Sequence, residues 1–242
     1  MLDFNELRRE VDRCVIEGLH DQAIKILQTH QPGVQLTSRT CLDATINNRI
    51  AWLRRLVAEF PGVLDGRHLE ERPELRKDVL LKFAAEYGNL ECVRLLVEEY
   101  GADVDAGFAG TERVALNGAC REGHSQIVQY LLGRGANPNS TANDCLACYG
   151  LMHAATKGFP EIAKLLVEHG GLINAPNAFG MTPLAYCAGA MLATVPDPSE
   201  AGKRAVYEYL RSVGAKLPVE LATTLPLPTP DLEPKPKSKK RK

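Results

Sequence analysis

The sequence predicts an all-α repeat solenoid of stacked helix-turn-helix units, and three observations lead to this prediction. Glycines that follow a run of small residues recur every 35 residues, at Gly88, Gly123 and Gly158. A second glycine closes each of these units at nearly the same spacing, and between the two glycines Leu and Val recur with the period of a helix. Recurrence at this period is the signature of repeat architectures. The closing glycines are Gly101, Gly135 and Gly170.

One unit shows the pattern in full, the stretch Gly123–Asn139. Its apolar residues fall on one face of a helix. Gly135 stands where a helix needs a left-handed closing residue, and Asn137-Pro138-Asn139 prevents the helix from resuming. We therefore expect a helix of about three turns with a defined stop. The apolar residues are Ile127, Val128, Leu131 and Leu132.

A helix of small residues precedes each turn glycine, for example Ala84-Ala85 and Ala154-Ala155. Small side chains let neighbouring helix pairs approach closely when units stack. A unit of this size cannot bury its own apolar face, so stacking is expected to supply the core.

Composition limits the class of protein. The chain has 242 residues, of which 45% are hydrophobic and 24% charged, as in an ordinary soluble globular protein. No apolar run is long enough for a membrane span, and Met1–Glu10 is too charged for a signal peptide. Seven scattered cysteines do not suggest a secreted disulfide framework, so we expect a reducing compartment, the nucleus or the cytoplasm.

These motifs resemble the ankyrin-repeat family. The matching pieces include Ala84–Gly88, Gly123-His124, Ala154–Gly158 and Gly180–Leu184, in which Thr182-Pro183-Leu184 is the family's helix-opening triplet. The family's histidine after this triplet is missing, since Lys82, Asn117, Met152 and Ala185 stand in its place. Stability is therefore expected to rest on apolar stacking instead of the hydrogen-bond ladder that His and Thr support in the family.

About six repeats are expected in a domain spanning residues 1–216. The first two, Phe4–Thr29 and Ser38–Phe60, are degenerate, and the charged residues of the first suit a polar end cap. Trp52 is expected to pack between repeats. The last repeat carries a predicted surface loop at Thr194–Glu200, between a first helix ending near Met191 and a second resuming near Gly202. The clear repeats are about 76–107, 108–141, 142–176 and 177–216.

No catalytic constellation appears, so neither an enzyme nor a cofactor is expected. Asp103 and Asp105 are expected to form turns. Cys145-x-x-Cys148 is the one pair with metal or redox spacing, and His153 and Cys187 could complete a zinc site. The alternative is that both cysteines simply occupy a connecting hairpin. Three further cysteines are expected to be inert core residues: Cys92, Cys120 and Cys187.

The resemblance implies a protein or peptide partner held on a concave face by the hairpin tips and the ends of the first helices. Leu146, Phe179 and Met181 would form an exposed apolar cluster. Its edge would be positive. The alternative is that Phe179 and Met181 pack back against the next repeat. The implied partner-binding residues are Glu86, Tyr87, Thr111, Arg113, Arg121, Glu122, Leu146, Thr156, Lys157, Phe179 and Met181, and the positive edge is Arg113, Arg121 and Lys157.

The end of the chain differs in composition. Prolines in 217–242 prevent regular helix, so this tail is predicted to be disordered. Its last eight residues hold six basic and no acidic side chains, whereas the rest of the chain carries 23 basic and 30 acidic ones. The basic run resembles a nuclear-localisation signal that would dock in a nuclear import receptor, and the alternative is a merely soluble end. The cations concerned are Lys237, Lys239, Lys240, Arg241 and Lys242.

The function favoured by the sequence is thus a non-catalytic interaction module, expected to be monomeric, without a specific nucleic-acid or membrane partner. Two alternatives stay open. A substrate adaptor of a ubiquitin ligase is suggested by Leu225-Pro226-Leu227-Pro228, although no amphipathic helix precedes it. A redox- or metal-responsive protein would use Cys145 and Cys148.

Overall fold

The computed structural model describes six segments of the chain: residues 4–29, 33–64, 76–107, 114–140, 149–191 and 199–218. Within them the secondary structure consists of helices, and the repeat solenoid that the sequence predicts is confirmed. In chain order the helices are α1 (Phe4–Ile16), α2 (His20–Thr29), α3 (Gly33–Ile46), α4 (Ile50–Glu59), α5 (Lys77–Glu86), α6 (Leu90–Glu98), α7 (Ala115–Glu122), α8 (Ser125–Gly133), α9 (Gly150–Lys157), α10 (Pro160–Glu168), α11 (Pro183–Met191) and α12 (Glu200–Ser212).

The helices form six consecutive pairs, each with a first and a second helix. First helices pack side by side along the stack, in the order α1, α3, α5, α7, α9, α11, and second helices pack in a parallel row. Trp52 in α4 is buried and stacks on His20 of α2, with 4.9 Å between the ring centroids. This tryptophan therefore packs between the first two repeats, as the sequence predicts.

The core repeats with the same period as the glycines. In the first helices of the last four units the leucines at one equivalent position are completely buried, and in the second helices Val93, Val128 and Ala163 are completely buried at 35-residue spacing. The next member of the second-helix series is Val206, displaced by the insertion in the last unit. All of these residues belong to one cluster of buried hydrophobic side chains, so the core is continuous along the stack. The first-helix leucines are Leu81, Leu116, Leu151 and Leu184.

Small residues bring the first helices close together, as the sequence predicts. A Cβ atom on Gly118 of α7 would lie 3.5 Å from Cβ of Glu86 in α5. A Cβ on Gly150 of α9 would lie 3.0 Å from Sγ of Cys120 in α7. Larger side chains at these positions would push neighbouring repeats apart.

The turn glycines also interlock successive repeats. The ring of His124 covers Gly88 and the ring of Phe159 covers Gly123, each so closely that an added Cβ would come within 2.7 Å. In the same register, the side-chain amide of Asn89 donates to the carbonyl oxygens of Thr45 and Ile46, at 2.7 and 2.8 Å. The residue after each turn glycine therefore fastens its repeat to the preceding one.

The last unit keeps this contact although its turn is altered. α11 ends at Met191, where the sequence places it, and α12 begins at Glu200, two residues before the predicted position. Here the backbone of α12, and not an aromatic ring, packs on the turn glycine of the preceding repeat. A Cβ on Gly202 would lie 2.2 Å from the carbonyl oxygen of Gly158. α12 therefore seats against the preceding repeat in spite of the insertion, most of which lies outside the described residues.

Side chains form hydrogen bonds with the connections although the family's histidine is missing, so these bonds accompany the apolar stacking expected from the sequence. Asn117, in the family's histidine position, donates to the carbonyl oxygen of Ser140 at 2.8 Å. Tyr149 stands three residues before the next histidine position. Its hydroxyl lies 2.6 Å from the carbonyl oxygen of Ala175 and 3.0 Å from that of Leu172, and its single O–H donates to one of them at a time. Side chains of other types therefore reach the same connecting segments.

A second ladder runs between repeats through Asp and Asn side chains in the connections. The backbone N–H of Asn137 donates to Oδ1 of Asp105 at 2.9 Å, and that of Leu172 to Oδ1 of Asn139 at 2.8 Å. The N–H of Lys216 donates to Oδ1 of Asn174 at 2.7 Å. Asp103 accepts the N–H of Asp105 at 3.0 Å, which confirms its turn-forming role and gives Asp105 an additional one.

We expect Gly202→Ala to destabilise the protein by about 3 kcal/mol, because the added methyl group would overlap the Gly158 carbonyl and separate two repeats. Urea unfolding followed by circular dichroism measures the change. Gly189→Ala in α11 is the matched control: its Cβ would meet no atom within 4 Å. It should raise stability by about 0.5–1 kcal/mol. An unchanged unfolding midpoint in Gly202→Ala would show that α12 does not seat on Gly158.

Asn139→Ala is expected to cost about 1 kcal/mol, because it removes the acceptor for Leu172 N–H and a 3.1 Å bond to the Gly170 carbonyl. Asn139→Asp keeps the acceptor, as Asp105 does one repeat earlier, and should cost about half as much or less. The same unfolding assay compares them. Equal losses in both variants would contradict a role for the Asn139 side-chain oxygen as acceptor.

Candidate protein-interaction surface

The face formed by the second helices, here called the second-helix face, pairs its own charges across neighbouring repeats. Salt bridges join α2 to α4, α4 to the end of α6, and α6 to the end of α8. Each pair is exposed and contributes about 0–1 kcal/mol. Each of them joins two neighbouring repeats. The pairs are Asp21–Arg55, Arg54–Glu99 and Glu98–Arg134.

Aromatic side chains on the second-helix face are covered in the same way. The Tyr130 hydroxyl donates to Glu98 at 3.0 Å, and Arg94 and Arg134 lie 5.6 and 5.1 Å from the centroid of its ring. Further along, the Lys164 ammonium group lies 5.9 Å from the ring of Tyr209. These cation–π contacts link α6 to α8 and α10 to α12.

The ends of the first helices form a second row of side chains, here called the turn row. It consists of the two residues before each turn glycine in three successive units, so the 35-residue period aligns its members on neighbouring helices. The side chains of Tyr87, Glu122, Thr156 and Lys157 are exposed, whereas Glu86 and Arg121 are partly buried. The turn row is Glu86, Tyr87, Arg121, Glu122, Thr156 and Lys157.

Arg121 is the centre of the turn row. Its guanidinium group forms an ion pair with Glu86 of the preceding repeat, and its Nε donates to Oε1 of Glu122 at 2.8 Å. The hydrogen bond with Glu122 is the main cause that raises the pKa of Arg121, and the same bond lowers the pKa of Glu122. Arg121 and Glu122 are therefore both charged at neutral pH.

This network corrects the sequence-based expectation of a positive edge at Arg121. One guanidinium stands between two carboxylates, so the cluster carries a net charge of one negative unit. The cause is the repeat register, which puts Glu86 beside Arg121. Lys157 is exposed, and its charge helps to lower the pKa of Glu122, after the hydrogen bond and the charge of Arg121. Thr156 donates back to the carbonyl oxygen of Met152 at 2.8 Å.

The connection before α11 presents Phe179, whose side chain is 67% exposed. Asn177 holds this turn: its Oδ1 accepts the backbone N–H groups of Phe179 and Met181, at 2.9 and 3.0 Å. Its own N–H donates to the Met181 carbonyl at 2.9 Å. The alternative that both side chains pack back against the next repeat is therefore wrong for Phe179, whereas Met181 is partly buried.

Several residues named from the sequence lie outside the described residues. They include three of the implied partner-binding residues, both cysteines of the CxxC pair and the basic end of the chain. The apolar cluster and the positive edge are therefore described only in part. These residues are Thr111, Arg113, Cys145, Leu146, Cys148, Lys237, Lys239, Lys240, Arg241 and Lys242.

The described cysteines are core residues. Burial raises the pKa of Cys41 and of Cys187 to about 12 and that of Cys92 to about 11, and it also raises the pKa of Cys120. A thiol with such a pKa is a poor nucleophile at neutral pH. This agrees with the inert packing expected for three of them. Across the described residues, no group of His, Cys, Asp and Glu is arranged to hold a metal ion.

Sequence reasoning named the members of the turn row but missed their pairing and the charge ladder of the second-helix face. The available signal was the charge at equivalent positions of adjacent repeats, since Glu86 and Arg121 are 35 residues apart. The same logic missed Leu172, which is 55% exposed where the two preceding units have Asp103 and Asn137. In the described part of the chain no helix is long and apolar enough to cross a membrane.

Comparison with known proteins gives a consistent result. The family description "Ankyrin repeats (3 copies)" matches residues 63–142 and 116–195, together more than half of the chain. The chain is 37% identical over 106 residues to the ankyrin repeat and KH domain-containing protein mask-1 of Caenorhabditis elegans, covering 43% of this chain and 4% of that protein. It is 43% identical over 61 residues to human protein phosphatase 1 regulatory subunit 27, covering 24% of this chain and 36% of that protein. With its stacked helix pairs and 35-residue period, the chain belongs to the ankyrin-repeat family.

Proposed function

We propose that this protein is a non-catalytic adaptor that binds a protein or peptide across the turn row and the hairpin tips. The observation that carries the proposal is the contrast between two faces. The second-helix face has three ion pairs between repeats, whereas Tyr87 and Phe179 project from the other face and are 54% and 67% exposed. Exposed aromatic side chains on fixed backbone are typical anchors of protein interfaces.

Rigidity of the presenting turns supports this proposal. Phe179 sits in a turn fixed by three hydrogen bonds of Asn177, and the Asn177 amide also donates to the Tyr186 hydroxyl at 2.9 Å. Tyr87 caps α5, and its N–H donates to the carbonyl oxygen of Phe83. Because neither backbone must be ordered on binding, little conformational entropy is lost when a partner docks.

The relatives support an adaptor role. One of them is named as a regulatory subunit of a phosphatase, and the matched family is one of interaction repeats and not of enzymes. We propose that this chain likewise acts through a protein partner, and as a monomer. The ubiquitin-ligase and redox alternatives depend on Leu225–Pro228 and on Cys145 and Cys148, all outside the described residues. No observation favours either alternative over the adaptor.

Phe179→Asp is expected to reduce the recovery of bound partners by about tenfold or more, because a charged side chain would replace an aromatic anchor. Affinity purification from cell extract with quantitative mass spectrometry measures this. Leu172→Asp is the matched control, an equally apolar and 55% exposed residue of the same connection that lies outside the proposed site. Recovery that is unchanged in Phe179→Asp, or lost equally in both folded variants, would contradict the assigned site.

We also propose that the basic end of the chain directs nuclear import. Replacing Lys239 and Lys240 by Gln in a fluorescent fusion should lower the nuclear-to-cytoplasmic ratio several-fold, because an import receptor recognises a cluster of positive charge. Deletion of Leu225–Pro230 shortens the tail without removing charge and is the control. A ratio insensitive to the lysine replacements would show that the run is only a soluble end.

A further inference from the structure

We propose that the cluster of Tyr87, Glu86, Arg121 and Glu122 is a subsite for a basic side chain of the bound partner, and for arginine in particular. This inference rests on the proposed function, since it names the chemistry of a partner at that surface. It follows from three features of the cluster: its net charge, its free acceptor atoms and the exposed aromatic ring beside it.

The first feature is the charge of the cluster. Arg121 is shared between Glu86 and Glu122, so two carboxylates face one guanidinium, and Lys157 of the next repeat acts on Glu122 only after Arg121. The side chains are 23%, 31% and 45% exposed in the order Glu86, Arg121 and Glu122, so the partner meets Glu122 first. On the second-helix face, each of the three ion pairs between repeats joins one guanidinium group to one carboxylate. The cluster is therefore a place where a cation can gain a charge-assisted hydrogen bond without displacing an existing one.

The second feature is a carboxylate oxygen of Glu122 that can accept a hydrogen bond from a ligand. Arg121 Nε binds Oε1 of Glu122, and Oε2 of this carboxylate makes no hydrogen bond to any described residue. The lowered pKa of Glu122, caused mainly by the bond from Arg121, keeps the carboxylate ionised at neutral pH. Glu122 is thus held in place by Arg121 while it keeps one oxygen for a ligand.

Tyr87 supplies the aromatic component. It holds the same position in its repeat as Glu122 does in the next, one residue before the turn glycine. Equivalent residues of adjacent helices lie about 10 Å apart. A guanidinium group inserted between them can contact the face of the tyrosine ring and donate to the carboxylate, which a compact ammonium group does less well.

The rest of the row sets the specificity. The next equivalent residue after Glu122 is Lys157, an exposed cation that repels a second basic group and favours an acidic one. An extended peptide advances about 3.3 Å per residue. An arginine between Tyr87 and Glu122 lies about one and a half repeat spacings from Lys157, and residues i and i+4 of an extended peptide point to the same face. A partner segment that lies along the row should therefore carry an arginine and, four residues away, an Asp or Glu.

A random dodecapeptide library displayed on phage tests this pattern at neutral pH and low salt. The library is selected separately on the wild-type protein, on Glu122→Lys and on the control Glu17→Lys, which changes the same position of the first repeat. We expect arginine paired with an acidic residue four positions away to be enriched on the wild type and on Glu17→Lys, and arginine to be depleted on Glu122→Lys. Circular dichroism confirms that the variants are folded.

A synthetic peptide from the selection then isolates the subsite by fluorescence polarisation. Replacing its arginine by glutamine should weaken binding to the wild type about tenfold, and should change binding to Glu122→Gln about twofold or less. Tyr87→Ala should weaken the arginine peptide about fivefold and the glutamine peptide much less.

The outcomes separate the two proposals. Selected peptides that lack arginine, or an arginine-to-glutamine loss of equal size on wild type and Glu122→Gln, overturn the basic-side-chain subsite alone, provided that Phe179→Asp still abolishes their binding. A library from which no peptide is enriched on the folded wild type overturns the proposed interaction surface and the subsite with it.

Discussion

The close approach of successive first helices is the constraint on which the rest of the structure depends. It requires small residues where α5, α7 and α9 meet, because a Cβ at Gly150 would already lie 3.0 Å from Sγ of Cys120. Once the first helices are this near, the residue after each turn glycine reaches the preceding repeat, as His124 does at Gly88. The hydrogen bonds between connections need the same distance. The helix packing, the contacts at the turn glycines and the hydrogen bonds between connections therefore all depend on the distance between successive first helices.

Much of the fold could be predicted from the sequence, since spacing and apolar periodicity determine which residues are equivalent. The period of 35 residues locates the helix pairs, the buried leucines and the turns. The hydrogen-bond ladder could not be predicted in this way, because it depends on reach and not on residue type. Asn117 and Tyr149 differ in length from the family residues they replace, yet their donors still reach carbonyl groups of the connections. Absence of a motif residue is thus weak evidence for absence of its bond.

The candidate site could likewise be predicted only in part from the sequence. The turn positions of Glu86, Arg121 and Glu122 follow from the repeat, but their collective charge follows from which neighbours touch. Arg121 considered alone is a cation, and Arg121 between two carboxylates is part of an anionic cluster. Exposure of Phe179 was likewise left open by the sequence, because an apolar residue at a hairpin tip can project or fold back. The bonds of Asn177 to the Phe179 and Met181 N–H groups fix the backbone from which that ring projects.

The fixed alignment of neighbouring repeats also explains how exposed side chains can vary while the packing between repeats is retained. The last unit carries an insertion between its helices, and yet α12 meets the preceding turn through Gly202 and Gly158. The exposed side chains of Tyr87 and Phe179 contribute little to the core, so they are free to change. The second-helix face is more restricted where ion pairs join neighbouring repeats, as Arg54–Glu99 and Arg134–Glu98 do. A change on that face alters two repeats, whereas a change at Tyr87 or Phe179 alters only what a partner meets. Partner specificity is therefore expected to be concentrated in the turn row and the hairpin tips.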